Sequence, residues 1–267
     1  MPIGAFTGQF DLPLLLVILF FAFFLCLVYY LHQEDKREGY PLVDPSRKDN
    51  RVSVVGFPAL PRPKTFILPH GRPPVTVPRQ GEEPPVHADN MGNPIGMPIT
   101  PLGDPLLSRA GPAAWMPRND EPDLDWDEAP IFVPLRKATD FYVAKGDSDP
   151  RGFEVLGCDK ERAGRVVDLW VDRSEHNLMF FEVELDPEIL AEAPEAQGAR
   201  ILLPEQFGSV NGRKRHVRSG AITAAQFARV PRTRDPDVIT AREEDQIRGY
   251  LGGGYLYATP DRAEPLL

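Results

Sequence analysis

Cysteine is scarce in this sequence, and positive charge is in deficit. The 267 residues include two cysteines, Cys26 inside an apolar run and Cys158 far downstream in a polar region. A disulfide framework is therefore excluded, and the pattern fits a reducing compartment for the soluble part. The formal net charge of −9 argues against a nucleic-acid-binding protein, because such proteins normally carry a basic excess.

Sequence motifs for catalysis and metal binding are also missing. The five histidines show no H-x-x-x-H or Cys/His spacing, so no metal site made by this chain alone is expected. Gly252–Gly254 lacks the Lys-Ser/Thr of a phosphate loop, and no nucleophile elbow or triad signature is present. The sequence therefore predicts no catalytic and no cofactor-binding residues, which argues against an independent enzyme.

Proline is abundant instead, with 20 of the 30 prolines between Pro41 and Pro134. Such a density excludes a helix bundle or a regular sheet there, so residues 33–110 are expected to be extended. Apolar residues such as Phe57 and Ile67 are too frequent for a disordered linker, and we expect this segment to lie on partner subunits. A semi-rigid polyproline spacer is an equally good interpretation of the composition.

A long uncharged run precedes the proline-rich part. Leu12–Leu31 is 20 residues long and predicts a transmembrane helix over residues 12–32, since such a helix spans about 30 Å of hydrocarbon. Tyr29 and Tyr30 close the run, as aromatic residues do at headgroup level. Residues 1–11 contain no Lys or Arg and no A-x-A site follows, so a cleaved signal peptide is not expected.

Charge asymmetry predicts the orientation of this helix. Lys36 and Arg37 flank its C-terminal end and no basic residue flanks the other end, which places residues 33–267 in the cytoplasm and residues 1–11 on the opposite side.

A mainly-β cytoplasmic domain with a short C-terminal helix is predicted over residues 111–259, followed by a tail at 260–267. Five short strands favour a small β-barrel. They are Arg165–Val171, Leu178–Leu185, Ile201–Leu203, Phe207–Val210 and Lys214–Val217, with a tight turn at Asn211-Gly212 between the last two. Thr240 and Glu243 form a capping box for a helix ending near Leu251 at the glycines 252–254.

Two groups of acidic residues are candidates for proton transfer. Asp172 and Glu175 directly follow the first strand and could share a chain of waters, although turn acids without a function are common. The other group is a run without an intervening cation: Asp120, Glu121, Asp123, Asp125, Asp127 and Glu128. Like charges raise the pKa values within such a run, which could collect protons or divalent cations, but a solvated acidic loop is the simpler interpretation.

The basic run Arg213–Arg218 is the main exception to the acidic balance. It could contact anionic lipid headgroups or form a solvated hairpin edge, and the negative total charge disfavours nucleic acid.

Several longer segments carry a resemblance to a known family. They are REGYPL (Arg37–Leu42), LPRPKTFILPHGR (Leu60–Arg72), GPAAW (Gly111–Trp115), AGRVVDLWVD (Ala163–Asp172), FFEVEL (Phe180–Leu185) and EEDQIRGYLGGGYLYA (Glu243–Ala258). In this order they resemble the H subunit of purple-bacterial photosynthetic reaction centres over nearly the whole chain. AGRVVDLWVD also resembles the PRC-barrel domain of that family, in agreement with the strand prediction.

The resemblance implies a non-catalytic subunit in the bacterial inner (intracytoplasmic) membrane, with a periplasmic N-terminus. Its helix would pack beside the L and M subunits, and its cytoplasmic domain would cover their quinone and iron side. The bacteriochlorophyll, bacteriopheophytin, quinones and non-haem iron would be held by those partner subunits and not by this chain. Antenna proteins and anionic lipids are further possible contacts.

The resemblance also assigns roles to acidic residues. Asp172 and Glu175 match the inner proton relay of the family, and Asp125 matches an acid at its surface proton-uptake and metal-inhibition site. Asp127 and Ala129 occupy positions that can be histidine in the family, so Asp127 and Glu128 are expected to take over proton uptake. Inhibition by transition metals should be weaker here, since imidazole is the better ligand.

Two points stay open from the sequence. A membrane-tethered PRC-barrel adaptor without a photochemical partner is the alternative function. The stretch 186–198 is longer than expected between two strands and is predicted to be a surface loop or a short helix.

Overall fold

The structure is a computed structural model that describes residues 11–40, 42–43, 53–69, 71–77, 87–90, 99–194 and 198–263. The chain divides into two compact units. One contains residues 1–82 and 94–96, and the other contains residues 83–93 and 97–267. We call them the N-terminal and the C-terminal unit. The C-terminal unit includes residues 99–110, which the sequence had placed in the extended segment.

Parts of several predictions lie outside the described residues. These parts are residues 1–10 of the N-terminus, residues 195–197 of the stretch 186–198, and residues 264–267 of the tail. In the extended segment they are residues 41, 44–52, 70, 78–86 and 91–98.

Helix α1 (Leu12–Glu34) dominates the N-terminal unit and confirms the predicted helix. Its side chains are almost entirely apolar, and none of them is buried within the chain. Asp11 caps its first turn, since the carboxylate accepts a hydrogen bond of 2.9 Å from the Leu14 amide. In the part of the chain that is described, α1 with its short extension to Arg37 is the one helix long and apolar enough to cross a membrane.

Lys36 follows α1 and is buried, which is unusual for lysine. Its ammonium donates hydrogen bonds of 2.6 Å to the carbonyl oxygens of Val55 and Pro58. Arg37 forms an ion pair of 2.8 Å with Glu34. The two basic residues that predict the orientation are therefore both bound within the N-terminal unit.

Short antiparallel strand pairs occur in the proline-rich part. They are β1 (Leu42–Val43) with β2 (Ser53–Val54), β3 (Lys64–Phe66) with β4 (Val75–Val77), and β5 (Ala88–Asn90) with β6 (Ile99–Pro101). None exceeds three residues, because proline lacks the N–H group that a longer ladder needs.

A seven-stranded sheet forms the core of the C-terminal unit. Its strands are β7 (Phe132–Pro134), β8 (Glu154–Leu156), β9 (Arg162–Asp172), β10 (Asn177–Leu185), β11 (Arg200–Pro204), β12 (Gly208–Asn211) and β13 (His216–Ser219). The order is β11-β10-β9-β8-β13-β12, with β7 paired to β9. All pairs are antiparallel except β8 with β13.

The mainly-β prediction is confirmed, and all five predicted strands are present with shifted ends. Strands β7 and β8 were not predicted, because each has three residues, too few to show an alternating pattern. The long strand β9 is central: it pairs with β10 along one edge and with β8 and β7 along the other. Trp170, Phe180 and Phe181 fill the core beneath it. A short helix, α2 (Pro187–Leu190), forms in the long stretch before β11.

The connection between β12 and β13 is longer than the tight turn predicted at Asn211-Gly212. The loop between β12 and β13 has four residues, Gly212 to Arg215. The Asn211 side chain accepts a hydrogen bond of 3.0 Å from the Lys214 amide, and Arg215 closes the loop with φ of 54°. Side-chain capping by Asn thus replaces the tight turn that the Asn-Gly pair usually makes.

Helix α3 (Ala241–Tyr257) is longer than predicted. Its capping box at Thr240 and Glu243 is confirmed, but the glycines 252–254 lie inside the helix and do not end it. A Cβ on Gly249 would lie 3.0 Å from the Trp115 Cβ, and one on Gly253 would lie 2.7 Å from the Ala113 Cβ. These glycines let the segment around Ala113 approach the helix, and this packing offsets their low helix propensity.

Candidate functional site

Asp172 is the last residue of β9 and is 7% exposed. Its Oδ1 accepts hydrogen bonds of 2.7 Å from the Ser174 amide and 2.9 Å from the Glu175 amide. The loop returns through His176, whose amide donates to the Asp172 carbonyl at 2.9 Å. The Asp172 side chain therefore organises the loop to β10, in the way Asp often does at the start of a turn.

Glu175 lies three residues on and is exposed. The Nδ2 of Asn177 is 3.5 Å from its Oε2, which is a long hydrogen bond. The two predicted relay residues are thus adjacent in one loop but differ in burial, a difference that the sequence could not supply.

Asp125 is half-buried, in the loop that leads into β7. Its Oδ1 accepts hydrogen bonds of 2.9 Å from the amides of Asp127 and Ala129. Its Oδ2 lies 3.2 Å from the guanidinium of Arg173, and the Arg173 amide donates to the Ile131 carbonyl at 3.0 Å. The structure therefore brings Asp125, the predicted uptake residue, beside the loop of residues 173–176 between β9 and β10, which we call the relay loop. Arg173 makes the connection, and no local sequence pattern predicts this long-range contact.

The other predicted uptake residues lie at the surface of the same loop. Asp127 and Glu128 are exposed, and Glu128 has φ of 65°, which turns the chain back towards Ala129. Between the Asp125 and Asp127 positions the loop presents Trp126, which is 94% exposed.

The acidic run is not free of cations in three dimensions, contrary to the expectation from its sequence. Arg118 lies 3.0 Å from Asp123, Arg234 lies 2.6 Å from Asp120, and Arg173 is paired with Asp125. Arg118 lies just before the run in the chain, whereas Arg173 and Arg234 come from distant positions. They offset the like-charge repulsion from which a proton-collecting role of the whole run was inferred.

A second acidic pair, Glu243 and Glu244 in the first turn of α3, was not singled out by the sequence beyond the capping box. Both side chains are buried. Burial raises the pKa of Glu244, while Arg248 at 2.8 Å and Arg118 at 3.7 Å act in the opposite direction. The i,i+4 spacing of Glu244 and Arg248 was the available signal for this ion pair.

A buried polar network lies on β9 and β10. Glu182 accepts hydrogen bonds from the Trp170 indole at 3.1 Å, from Arg200 at 2.9 Å and from Arg136. Arg136 also binds Asp168 at 2.9 Å. Burial alone would lower the pKa of Arg136, but its carboxylate partners outweigh that effect and raise it. The network is fully paired, so we interpret it as structural.

Within the described ranges no group of three His, Cys, Asp or Glu side chains is arranged to hold a metal ion. The basic run lies in the loop between β12 and β13 and at the start of β13, where Arg213, Lys214 and Arg215 are exposed. Cys26 and Cys158 are both free thiols.

Two family models match consecutive parts of the chain. The model described as photosynthetic reaction centre, H-chain N-terminal region, matches residues 4–137, which is half of the 267 residues. The model of the PRC-barrel domain matches residues 143–214, the part that contains strands β8 to β12.

Proposed function

Because the chain belongs to the photosynthetic reaction centre H-chain family, we propose that it caps the quinone and iron side of the L and M subunits and conducts protons to the secondary quinone. The family itself implies a reaction-centre H subunit that associates with L and M, and the apolar helix α1 fits a single-pass membrane protein. The match over residues 4–137 is the observation that carries the proposal.

In this proposal the N-terminus is periplasmic and residues 33–267 are cytoplasmic, in the bacterial inner (intracytoplasmic) membrane. Lys36 and Arg37 after α1 support that orientation under the positive-inside rule.

Exposed apolar residues in the proline-rich segment support a cap that lies on partner subunits. Phe57 is 87% exposed and Ile67 is 91% exposed in the isolated chain. Burial of apolar side chains of this size against another protein contributes about 1.5–3 kcal/mol each. Such contacts would stabilise the assembled complex.

The proton route in this proposal uses the loop after β9. Reduction of a quinone to a quinol takes two electrons and two protons. A cytoplasmic domain without water or titratable side chains would keep these protons from reaching the quinone. Only Oδ1 of Asp172 has a hydrogen-bond partner among the described residues, so Oδ2 is the oxygen that can take up and release a proton. Glu175 lies at the surface of the same loop and would exchange protons with Asp172 through water.

The chain has no pigment-binding role in this proposal, and it catalyses no reaction by itself. Bacteriochlorophyll, bacteriopheophytin, quinones and non-haem iron belong to the L and M subunits. On this chain, Asp172 and Glu175 then serve to move protons.

Asp172→Asn and Glu175→Gln test the proton route in the purified complex. Each should slow the proton-coupled second electron transfer to the secondary quinone by roughly tenfold or more, because a positioned acid/base group is lost. Primary charge separation, measured by flash absorption, should not change. Glu188→Gln is the matched control, since Glu188 is also exposed but lies on α2. Unchanged kinetics in both variants would remove the assigned roles.

A membrane-tethered PRC-barrel adaptor is the second candidate function, because residues 143–214 match the model of the PRC-barrel domain, which is separate from the H-chain model. Purification in mild detergent separates the two functions. The proposed H subunit should bring pigmented L and M subunits with it, and the preparation should show bacteriochlorophyll absorption bands. A colourless preparation with another partner would favour the adaptor.

A further inference from the structure

A loop of the N-terminal unit lies along the last turns of α1. Residues 54–61 read VVGFPALP, eight residues without a charged or polar side chain, and we call them the apolar loop. Gly56 turns the chain in this loop with a left-handed φ of 63°. Phe57 follows the turn, and its side chain is 87% exposed. The loop therefore leaves its largest side chain mostly uncovered in the isolated chain.

Three contacts fix where the apolar loop lies along the helix. The ring of Phe57 packs on that of Tyr29 at 5.7 Å between centroids. One turn further along α1, the side-chain amide of Gln33 donates a hydrogen bond of 3.3 Å to the Ala59 carbonyl. The ammonium of Lys36 binds two more carbonyls of the loop. Because positions 29, 33 and 36 share one face of a helix, the loop covers this face over about two turns.

The position of Tyr29 sets the depth of Phe57. The uncharged run ends at Leu31, and its 20 residues match about 30 Å of hydrocarbon. Tyr29 comes two residues before this end, which corresponds to about 3 Å along the helix axis. Tyrosine at this place lies at headgroup level, and the ring of Phe57 that packs on it lies at the same level. When α1 spans a bilayer, the apolar loop thus reaches the boundary between hydrocarbon and headgroups.

The backbone of the apolar loop is adapted to a place with little water. A backbone carbonyl that loses water without gaining a donor costs free energy. The carbonyls of Val55, Pro58 and Ala59 have donors from the segment 33–36, at 2.6, 2.6 and 3.3 Å. Proline has no N–H group that needs a partner, and the loop contains two prolines, at 58 and 61. The buried ammonium of Lys36 therefore replaces water for two of these carbonyls.

The segment around the apolar loop carries charge of one sign. Residues 51–77 contain four Lys or Arg and no Asp or Glu, although the whole chain has a net charge of −9. Arg62 and Lys64, directly after the loop, are exposed. Cations that flank an apolar stretch bind lipid phosphates while the stretch itself contacts acyl chains. The charge of this segment is therefore complementary to a phospholipid surface.

We propose that the apolar loop inserts Phe57 between lipids at the end of α1, so that the chain is attached to the bilayer by a loop as well as by a helix. The inference rests on the part of the proposed function in which α1 spans a membrane. It assigns Phe57 to lipid instead of a partner subunit, whereas Ile67 keeps the contact given above. The ring has no hydrogen-bonding group, so ordinary phospholipid acyl chains are the contact and no particular headgroup is selected.

The first test measures the depth of position 57 in the full chain. Phe57→Cys, with both native cysteines replaced by serine, is spin-labelled and reconstituted into vesicles of phosphatidylcholine and phosphatidylglycerol. Oxygen concentrates in hydrocarbon and a nickel chelate stays in water. The ratio of oxygen to nickel accessibility should be several-fold higher at this label than at a label on Ile67→Cys.

Ile67 is the matched control for this measurement. It is apolar and 91% exposed, and it belongs to the same unit. It directly follows β3, whose Lys64 lies 3.8 Å from Glu34, beyond the end of the uncharged run. Its label should therefore be in contact with water. Equal accessibility ratios at positions 57 and 67 would overturn the inference.

A second measurement keeps an aromatic ring at position 57 and uses the whole complex in its membrane. Phe57 is replaced by the photoreactive amino acid p-benzoyl-phenylalanine, and the illuminated complex is analysed by mass spectrometry. The peptide that contains position 57 should carry a phospholipid adduct. Crosslinks from this position to the L or M subunit in place of lipid would overturn the inference.

The outcomes separate this inference from the proposed function. If the label at position 57 lies in hydrocarbon but the chain purifies without pigmented L and M subunits, the proposed cap fails and the lipid contact of the loop stands. If the pigmented complex purifies intact while the label contacts water and no lipid adduct forms, the lipid contact fails and the cap stands.

Discussion

Two pairs of carboxylate side chains in the C-terminal unit differ in their surroundings. Asp172 and Glu175 lie in a hairpin loop, where backbone amides and Asn177 are the hydrogen-bond donors. Glu243 and Glu244 lie in the first turn of α3, where each carboxylate also binds the guanidinium of an arginine. Glu243 accepts hydrogen bonds from the Arg234 amide at 3.0 Å and from its side chain at 3.1 Å.

The difference between the two pairs lies in the donors. A guanidinium stays charged at any pH a protein experiences, so protonation of a paired carboxylate breaks an ion pair. An amide is neutral, so a carboxylate bound by amides can gain a proton at a smaller cost. In the proposed function this difference assigns proton exchange to the hairpin loop, whereas the pair in α3 supports the structure.

The largest effect should come from Glu243→Ala. Its carboxylate is buried, binds Arg234 and accepts from the Thr240 amide at 3.0 Å in the capping box. We expect a loss of about 2–3 kcal/mol in the free energy of unfolding, from the missing cap and the unpaired buried donors. Denaturant unfolding followed by tryptophan fluorescence measures this. Glu175→Ala is the comparison and should stay within about 0.5 kcal/mol of the unmodified protein. Equal losses at both sites would break the contrast.

Asp172→Ala should have an intermediate effect. It removes the acceptor of two backbone amides at a buried position, and we expect a loss of about 1–2 kcal/mol in the same unfolding measurement. Asp172→Asn keeps an acceptor oxygen and should retain most of that stability, although it should lose proton transfer. If the Asn variant were as unstable as the Ala variant, the charge of Asp172 would be structural, and the hairpin pair would resemble the helix pair.

The smallest effect concerns the pH dependence of stability at Glu244. Burial raises the pKa of this carboxyl above its ordinary value of 4.5, so the folded state binds the proton more readily than the unfolded state. Its contribution to stability is therefore complete below pH 4.5 and is lost as the pH rises through the raised pKa. Glu244→Gln should gain stability relative to the unmodified chain over that interval. Glu188→Gln should show no such trend, and a constant difference at all pH values would contradict the assignment.

Much of the fold is predictable from local sequence. The uncharged run gives α1, the β-branched and aromatic runs give β9 and β10, and Thr240 with Glu243 gives the start of α3. The errors have long-range causes. The end of α3 was placed too early because a glycine run usually ends a helix, whereas here it allows the segment near Ala113 to pack closely.

The candidate site is predictable only in part. The position of Asp172 at a strand end follows from the strand pattern, and its neighbour Glu175 follows from the loop. The pairing of Arg173 with Asp125, by contrast, joins residues 48 positions apart, and no local pattern predicts it. A cavity lined by the segment 141–150 and by β9, β10 and β12 was missed for the same reason, since only the folded sheet brings these segments together.

The buried Lys36 has a consequence for the order of events in the life of this protein. Under the proposed orientation, its charge acts first during insertion, when it keeps the end of α1 from crossing the membrane. Later the same ammonium binds the carbonyl groups of Val55 and Pro58 and is no longer available to lipid headgroups. An arginine at this position would keep the insertion signal but would not fit two converging carbonyls as a compact ammonium does. Membrane insertion therefore requires the positive charge of Lys36, whereas the folded protein requires its compact ammonium group.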